Sequence, residues 1–305
     1  MKVRIAVSPG GAAPTRSEFL AFIDGLERRG FDTVWLSDVP LGRVVDPLVG
    51  LALAAGRTER LKLGANVVGP GRNPLLLAKE LAQLDRLSEG RLLLSFVPGQ
   101  DQPAEREALG VADDDRGGLL GEWMGLCRRW WAGETVDHHS KRFSATGVRL
   151  EPRPVQDPLE IWLGGIGPLA LHRAGRLADG WLTARATPEQ AGAGRETILV
   201  AAAEAGRCID PEHFGISIPY ARVLPPEAVV AATLRRPGQP ADTPSPERAD
   251  ILPVGAEELT SLLRRHLAAG LSKFVLRPLD PAVSEPGGWD AELDWLAAAV
   301  LPLQS

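Results

Sequence analysis

The sequence predicts an α/β chain folded as a single (β/α)8 barrel over residues 1–305. Three observations carry that expectation. Short apolar runs of strand length alternate with amphipathic helical patterns almost from end to end. Eight such strand runs can be counted, and each is followed by a helix or by a loop with helical content, as parallel βα units require. At 305 residues, closure of the eight strands into a barrel is favoured over a doubly wound open sheet, the alternative architecture.

Val3–Val7 reads as the first strand. Thr15-Arg16-Ser17-Glu18 then fits a capping box, in which the Thr15 hydroxyl takes the amide at N3 and Glu18 reaches back. Phe19, Phe22, Ile23 and Leu26 follow at helical spacing, and Gly30 suits the left-handed position that ends such a helix. Thr33–Leu36 is the second strand, ending in Ser37-Asp38, with a helix over about Pro47–Gly56 behind it. Leu61–Asn66 is the third strand. Asn73 as N-cap and Pro74 at N1 start the next helix, which carries Leu77, Leu81, Leu84 and Leu87 and stops at Gly90. Arg91–Phe96 is nearly all apolar, as a strand buried on both faces should be.

The repeat is then interrupted. Val97–Asp115 reads as a polar loop, Leu119–Trp131 as a helix, and Val136–Pro158 as short extended pieces forming an excursion outside the repeat. Glu160–Leu163, Gly180–Thr183, Phe214–Tyr220 and Lys273–Leu276 supply the remaining strands. Helices are expected over Ala170–Ala178, Pro188–Gly206, Glu257–Ala269 and Asp290–Val300. Pro225–Pro253, after the seventh strand, is Pro-rich and broken, and is expected to be a mobile loop acting as a lid.

Composition narrows the function. The formal net charge is −5 and no Lys/Arg block occurs, which argues against a nucleic-acid partner. No stretch reaches the roughly 18 apolar residues of a membrane span, and the N-terminus lacks a signal-peptide core, so a cytoplasmic protein with no membrane partner is expected. Cys127 and Cys208 lie far apart, without zinc spacing, and read as buried free thiols in helical patterns. No metal site, nucleophile elbow or Walker loop is visible. Trp123, Trp130 and Trp131 read as packing residues, and the scattered His172, His213 and His266 as surface or satisfied histidines.

Barrel enzymes carry function where strands end. Gly164-Gly165-Ile166-Gly167 lies between a strand and a helix, where glycine amides and the helix N-terminus suit a phosphate; a tight turn needing φ > 0 is the alternative. Asp38 directly follows a buried strand and could accept a hydrogen bond from a bound ring, or serve as a solvated loop acid or helix cap. Asn66 closes the third strand at the same mouth, free to bond a ligand or its own loop. These residues reach an anion-binding barrel and no reaction.

Leu63–Val68, Arg72–Lys79 and Leu84–Arg91, with Gly30–Asp38, Pro154–Gln156, Ile161–Gly165, Ala178–Trp181 and Ser272–Val275, resemble the luciferase-like family, and the deazaflavin (F420) branch most. The resemblance covers essentially the whole chain. It implies an oxidoreductase that transfers a hydride between the C5 of F420 and a small organic substrate. An FMN-dependent monooxygenase is the alternative, and a non-catalytic ligand-binding barrel a third reading. Coenzyme contacts are implied at Asp38, Asn66, Val67, Gly69, Gln100, Gly164, Gly165, Ile166, Gly167 and Thr183. A cis peptide is implied at Asn66-Val67, and a homodimer for the assembly. Arg72 and Arg277 are candidates to meet the anionic tail of F420. Val39 and Gln100 stand where sugar-phosphate dehydrogenases of this branch carry a histidine and an acid, so no catalytic residue is assigned and no sugar-phosphate substrate is expected.

Overall fold

The computed structural model describes residues 1–10, 14–111, 115–235, 245–279 and 288–305. Ten strands are seen there: β1 (Arg4–Val7), β2 (Thr33–Ser37), β3 (Lys62–Val68), β4 (Leu92–Val97), β5 (Val136–His139), β6 (Ser144–Val148), β7 (Ile161–Leu163), β8 (Gly180–Ala184), β9 (Phe214–Tyr220) and β10 (Lys273–Pro278). Eight close a barrel in the order β1-β10-β9-β8-β7-β4-β3-β2, every pair parallel. The expected excursion between β4 and β7 contains an antiparallel hairpin of β5 and β6.

Helices α1 (Arg16–Arg29), α2 (Pro47–Ala55), α3 (Pro74–Leu87), α4 (Pro103–Ala108), α5 (Arg116–Trp131), α6 (Pro168–Leu177), α7 (Pro188–Glu204), α8 (Glu227–Leu234), α9 (Gly255–Ala268) and α10 (Gly288–Val300) complete the chain. None is long and apolar enough to cross a membrane, among the described residues. The Thr15 capping box, the Asn73 cap and the left-handed Gly30 at φ 80° are all present. Pro103 starts the short α4 inside what the sequence showed as polar loop, because a helix of this length has no room for a visible apolar period. The Pro-rich segment contains α8, but its residues 236–244 lie outside the described residues.

Inside the barrel, Ala6, Trp35, Trp162, Leu182 and Val275, with Leu93 beside them, fill the lumen. Register explains how two indoles fit. Trp35 pairs with Gly64 on the next strand, and Trp162 with Gly180. A Cβ at Gly64 would stand 2.1 Å from Trp35 Cε3, and one at Gly180 would stand 2.4 Å from Trp162 Cε2. Each tryptophan therefore needs a bare neighbour in the ladder, and its burial contributes on the order of 2–3 kcal/mol. Above this plug, toward the C-terminal strand ends, Ser37, Asn66 and Ser95 align across β2, β3 and β4. The larger core lies between the strands and the helices, and includes the expected Trp123, Trp130 and Trp131.

The motif residues hold this frame together. Asp85 is fully buried, and its carboxylate accepts from the Val155 amide (2.7 Å), the Gln156 amide (3.0 Å) and Gln156 Nε2 (2.6 Å). The excursion is thereby tied back to α3. Arg91 donates to carbonyls of Ala55, Leu61 and Ser88. Asp179 accepts from Arg128, Arg207 and the Ile161 amide, which fixes β7 against β8.

Three expectations are corrected. Among the described residues the cis peptide bonds are Glu151-Pro152 and Asp157-Pro158; Asn66-Val67 is not one of them, and β3 stays in regular register with β4 through Val68. Cys208 is exposed just beyond α7, because its helix ends at Glu204; Cys127 alone is buried. His266 is neither on the surface nor satisfied: it is fully buried on α9, with both ring nitrogens unpartnered.

Candidate functional site

All eight barrel strands are parallel, so their C-terminal ends share one mouth. On β2, β3 and β4 the inward residues there are short and polar. Asn66 Nδ2 donates to Ser37 Oγ at 2.9 Å, and Ser95 Oγ is buried without a partner. An unmet buried hydroxyl costs on the order of 1–3 kcal/mol, so this layer is tuned for something other than stability.

Asp38 follows β2 and is 8% exposed. One of its oxygens accepts from the Val68 amide (3.1 Å) and from Arg72 Nη2 (2.7 Å). Burial opposes the charge on Arg72, but the hydrogen bond to Asp38 and the negative charges of Asp38, Asp46 and Glu80 together outweigh it and hold the guanidinium pKa above its usual value. Arg72 is therefore paired through Nη2 with Asp38, with Asp46 at 3.5 Å from the same nitrogen.

The glycine turn after β7 is built to expose amides. Gly165 sits at φ +95°, and a Cβ there would stand 2.8 Å from Ala170 Cβ, so only glycine fits. Its carbonyl is held by Trp181 Nε1 at 2.8 Å, which turns the chain outward from β7. The amides of Gly165, Ile166 and Gly167 have no acceptor among the described residues. Gly167 is the N-cap of α6 and offers no side-chain cap, while Pro168 occupies N1.

Beside this turn lies a cleft of about 520 Å³, whose lining includes Gly167, Pro168 and Ala170, the guanidinium groups of Arg106, Arg116 and Arg173, and the carboxylate of Asp115. The N-termini of α5 and α6 both border it. Arg116 is anchored, donating to the Pro98 and Gln100 carbonyls and to Asp101. Arg173 has no hydrogen bond or ion pair among the described residues. Three guanidinium groups, two helix N-termini and a run of free amides favour an anion.

The remaining expected contacts are less uniform. Val67 and Thr183 are buried; they share the outward faces of Ala65 and Trp181, toward the helices. Thr183 Oγ1 has no partner. Gly69 is packed under Leu120 and Trp123. Gln100 is exposed, and its amide donates to Glu105 Oε1 at 2.7 Å. Glu105 itself was missed in the sequence. It is 1% exposed on α4, its Oε2 has no partner, and it packs against Gly99 and the end of the β4 loop. The signal that could have found it is Pro103 at N1, which puts Glu105 in the first helical turn.

Comparison with known proteins finds relatives of two kinds, F420-dependent enzymes and monooxygenases. Limonene 1,2-monooxygenase of Rhodococcus erythropolis is 32% identical over 172 residues, 55% of this chain and 44% of that protein. F420-dependent glucose-6-phosphate dehydrogenase of Nakamurella multipartita is 31% identical over 178 residues, 55% of this chain and 52% of that protein. The chain thus spans about half the length of these curated relatives. Among solved structures, an F420-dependent secondary alcohol dehydrogenase in complex with an F420-acetone adduct superposes with a TM-score of 0.81 at 19% identity, covering 100% of both chains. The oxygenating constituent of a diketocamphane monooxygenase from Pseudomonas putida, in complex with FMN, gives 0.75 at 16% identity, covering 100% of this chain and 99% of that one. Such low identities speak for the barrel alone. The luciferase-like monooxygenase family model matches residues 1–243, which takes in every barrel strand except β10, and the chain belongs to that family.

Proposed function

We propose that the protein is an oxidoreductase that binds F420 at the C-terminal mouth and exchanges a hydride with a small organic substrate. The observation that carries this reading is the cationic cleft against the acceptor-free amides of Gly165, Ile166 and Gly167. Those amides suit a phosphate, and Arg106, Arg116 and Arg173 suit further carboxylates on a tail, a demand that FMN does not make. Asp38, Asn66 and Gly164 would border the ring. When bound, the coenzyme supplies hydride chemistry at C5, and the protein supplies orientation and electrostatics.

The second reading is an FMN-dependent monooxygenase, and the limonene 1,2-monooxygenase relative favours it. Oxygen separates the two. Reduced F420 with a substrate panel should be consumed without oxygen under the first reading. Dependence on reduced FMN and oxygen would establish the second. We also propose a homodimer: Val49 and Leu53 on α2 and Leu76 on α3 are exposed apolar side chains on neighbouring helices, suited to a second copy. Light scattering at working concentration tests this; a monomer mass would refute it.

A further inference from the structure

The barrel also opens at its other end. Below the lumen plug, at the N-terminal strand ends, lies a recess of about 250 Å³. Trp35, Trp162, Leu182 and Val275 line its inner part, in a cluster separate from the main core. One step nearer the opening the lining turns polar. Alternation along each strand sets Arg4 below Ala6, Thr33 below Trp35 and Lys273 below Val275. Every segment that enters a barrel strand at this end lies within the described residues. Barrel interiors are ordinarily filled by layers of side chains. An apolar cavity of about 150 Å³ already holds benzene, so this recess has room for an aromatic ring and its substituents.

The lining is richer in donors than in acceptors. Trp35 is 5% exposed, and its Nε1 has no hydrogen-bond partner among the described residues. A buried N–H without an acceptor is costly in a core built for stability alone. Glu160 Oε2 lies 3.4 Å from Trp162 Nε1 and from His213 Nδ1. Asp32 accepts from Thr33 Oγ1 at 2.7 Å and stands 3.5 Å from both Arg4 Nε and Lys62 Nζ. Glu212 accepts the Lys2 amide at 2.8 Å and lies 4.0 Å from Lys273 Nζ. Each of these carboxylates already serves donors of the protein. The ammonium groups, with three N–H each, are less fully met. Lys273 Nζ donates to the Lys2 carbonyl at 3.1 Å, with Ser272 Oγ at 3.5 Å, and burial pushes its pKa down. Lys62 Nζ has Asp32 as its ionic partner and makes no closer hydrogen bond among the described residues.

We propose that this recess is a ligand site separate from the C-terminal mouth, and that it takes a small planar aromatic carboxylate. The ring lies against Trp35 and Trp162, where aromatic contact adds to the burial of apolar surface. An oxygen at the inner end of the ligand accepts from Trp35 Nε1. The carboxylate lies at the opening, where Lys62 and Lys273 supply charge-assisted hydrogen bonds. The inference is independent of the coenzyme reading, because the two sites lie at opposite ends of the strands.

Titration of the full chain, labelled with ¹⁵N in its indoles, with 4-hydroxybenzoate and separately with benzylamine tests the proposal by NMR and calorimetry. The acid should bind saturably and move the Trp35 Nε1–H peak, which Trp35→Phe assigns by its loss. Benzylamine should not bind. Trp35→Phe should weaken the acid about threefold to tenfold, and Lys273→Met about tenfold or more. Ala6→Leu, which fills the recess, should abolish binding. Lys273→Met and Ala6→Leu decide the matter if Trp35→Phe fails to fold. Where F420 or FMN binds the mouth, saturating acid should leave its affinity within about twofold. No saturable binding of the acid, binding that leaves the Trp35 peak in place, equal binding of benzylamine, undiminished affinity in Lys273→Met or Ala6→Leu, or competition with the coenzyme would each overturn the proposal. If neither coenzyme binds, the coenzyme reading fails, and the Trp35 titration still decides this site.

Discussion

Arg72 Nη2 lies 2.7 Å from Asp38 Oδ2, and that same oxygen accepts the Val68 amide. The end of β2 is thereby locked to the end of β3, and one carboxylate serves the frame before it serves any ligand. Asp38→Ala should leave the chain folded but cost about 1–3 kcal/mol in urea unfolding, because a partly buried guanidinium and an amide lose their acceptor. Coenzyme affinity should fall in the same variant. Unchanged affinity would confine Asp38 to the frame.

Asp85 collects three donors from Val155 and Gln156 while fully buried. Asp85→Ala strands all three, and should cost roughly 2–4 kcal/mol of stability with little effect on ligand binding, since the contact lies at the start of β4, away from the C-terminal mouth. A urea midpoint close to wild type would show that water replaces the carboxylate.

Much of this frame was legible in the chain. The capping residues Thr15 and Asn73, Gly30, and the apolar run of β4 each act over a few residues, and local rules placed them. The phosphate-suited turn was legible for the same reason: strand, glycines and helix are contiguous. What the sequence hid depends on distant partners. Nothing local says that Arg72 is paired with Asp38, that Thr183 faces the helices, or that Glu105 folds into a buried corner under Gly99. The tryptophan and glycine pairs of the lumen are likewise visible only once register is known.

His266 gives a pH signature. Burial first, and then the charge of Arg265, push its pKa down to about 4 from an ordinary 6.5. The unfolded chain takes up a proton as pH falls through about 6.5, while the native state resists until about 4. Stability is therefore insensitive to this group above neutrality and declines between those values, by about 2 kcal/mol from pH 7.5 to pH 5. Urea unfolding of His266→Leu should lose that part of the decline. The same slope in both proteins would mean that other groups set it.

The two thiols should differ sharply. Burial pushes the Cys127 thiol up to about 12, whereas Cys208 is exposed. An aromatic disulfide reagent should label one thiol of the native protein promptly and the second only after denaturation. Cys208→Ser should abolish the prompt phase. Two prompt thiols in the native wild type would contradict the buried position of Cys127.

The glycine turn after β7 is the proposed place for a coenzyme phosphate. The most direct measurement is a fluorescence titration with F420, and in parallel with FMN, of the wild type and of Gly165→Val. A valine cannot adopt φ +95° without strain, and its Cβ would meet Ala170. Micromolar binding of F420, weaker binding of FMN, and loss of both in a folded Gly165→Val protein is the predicted result. Equal coenzyme affinity in the two proteins, or no binding of either coenzyme to the wild type, would contradict it.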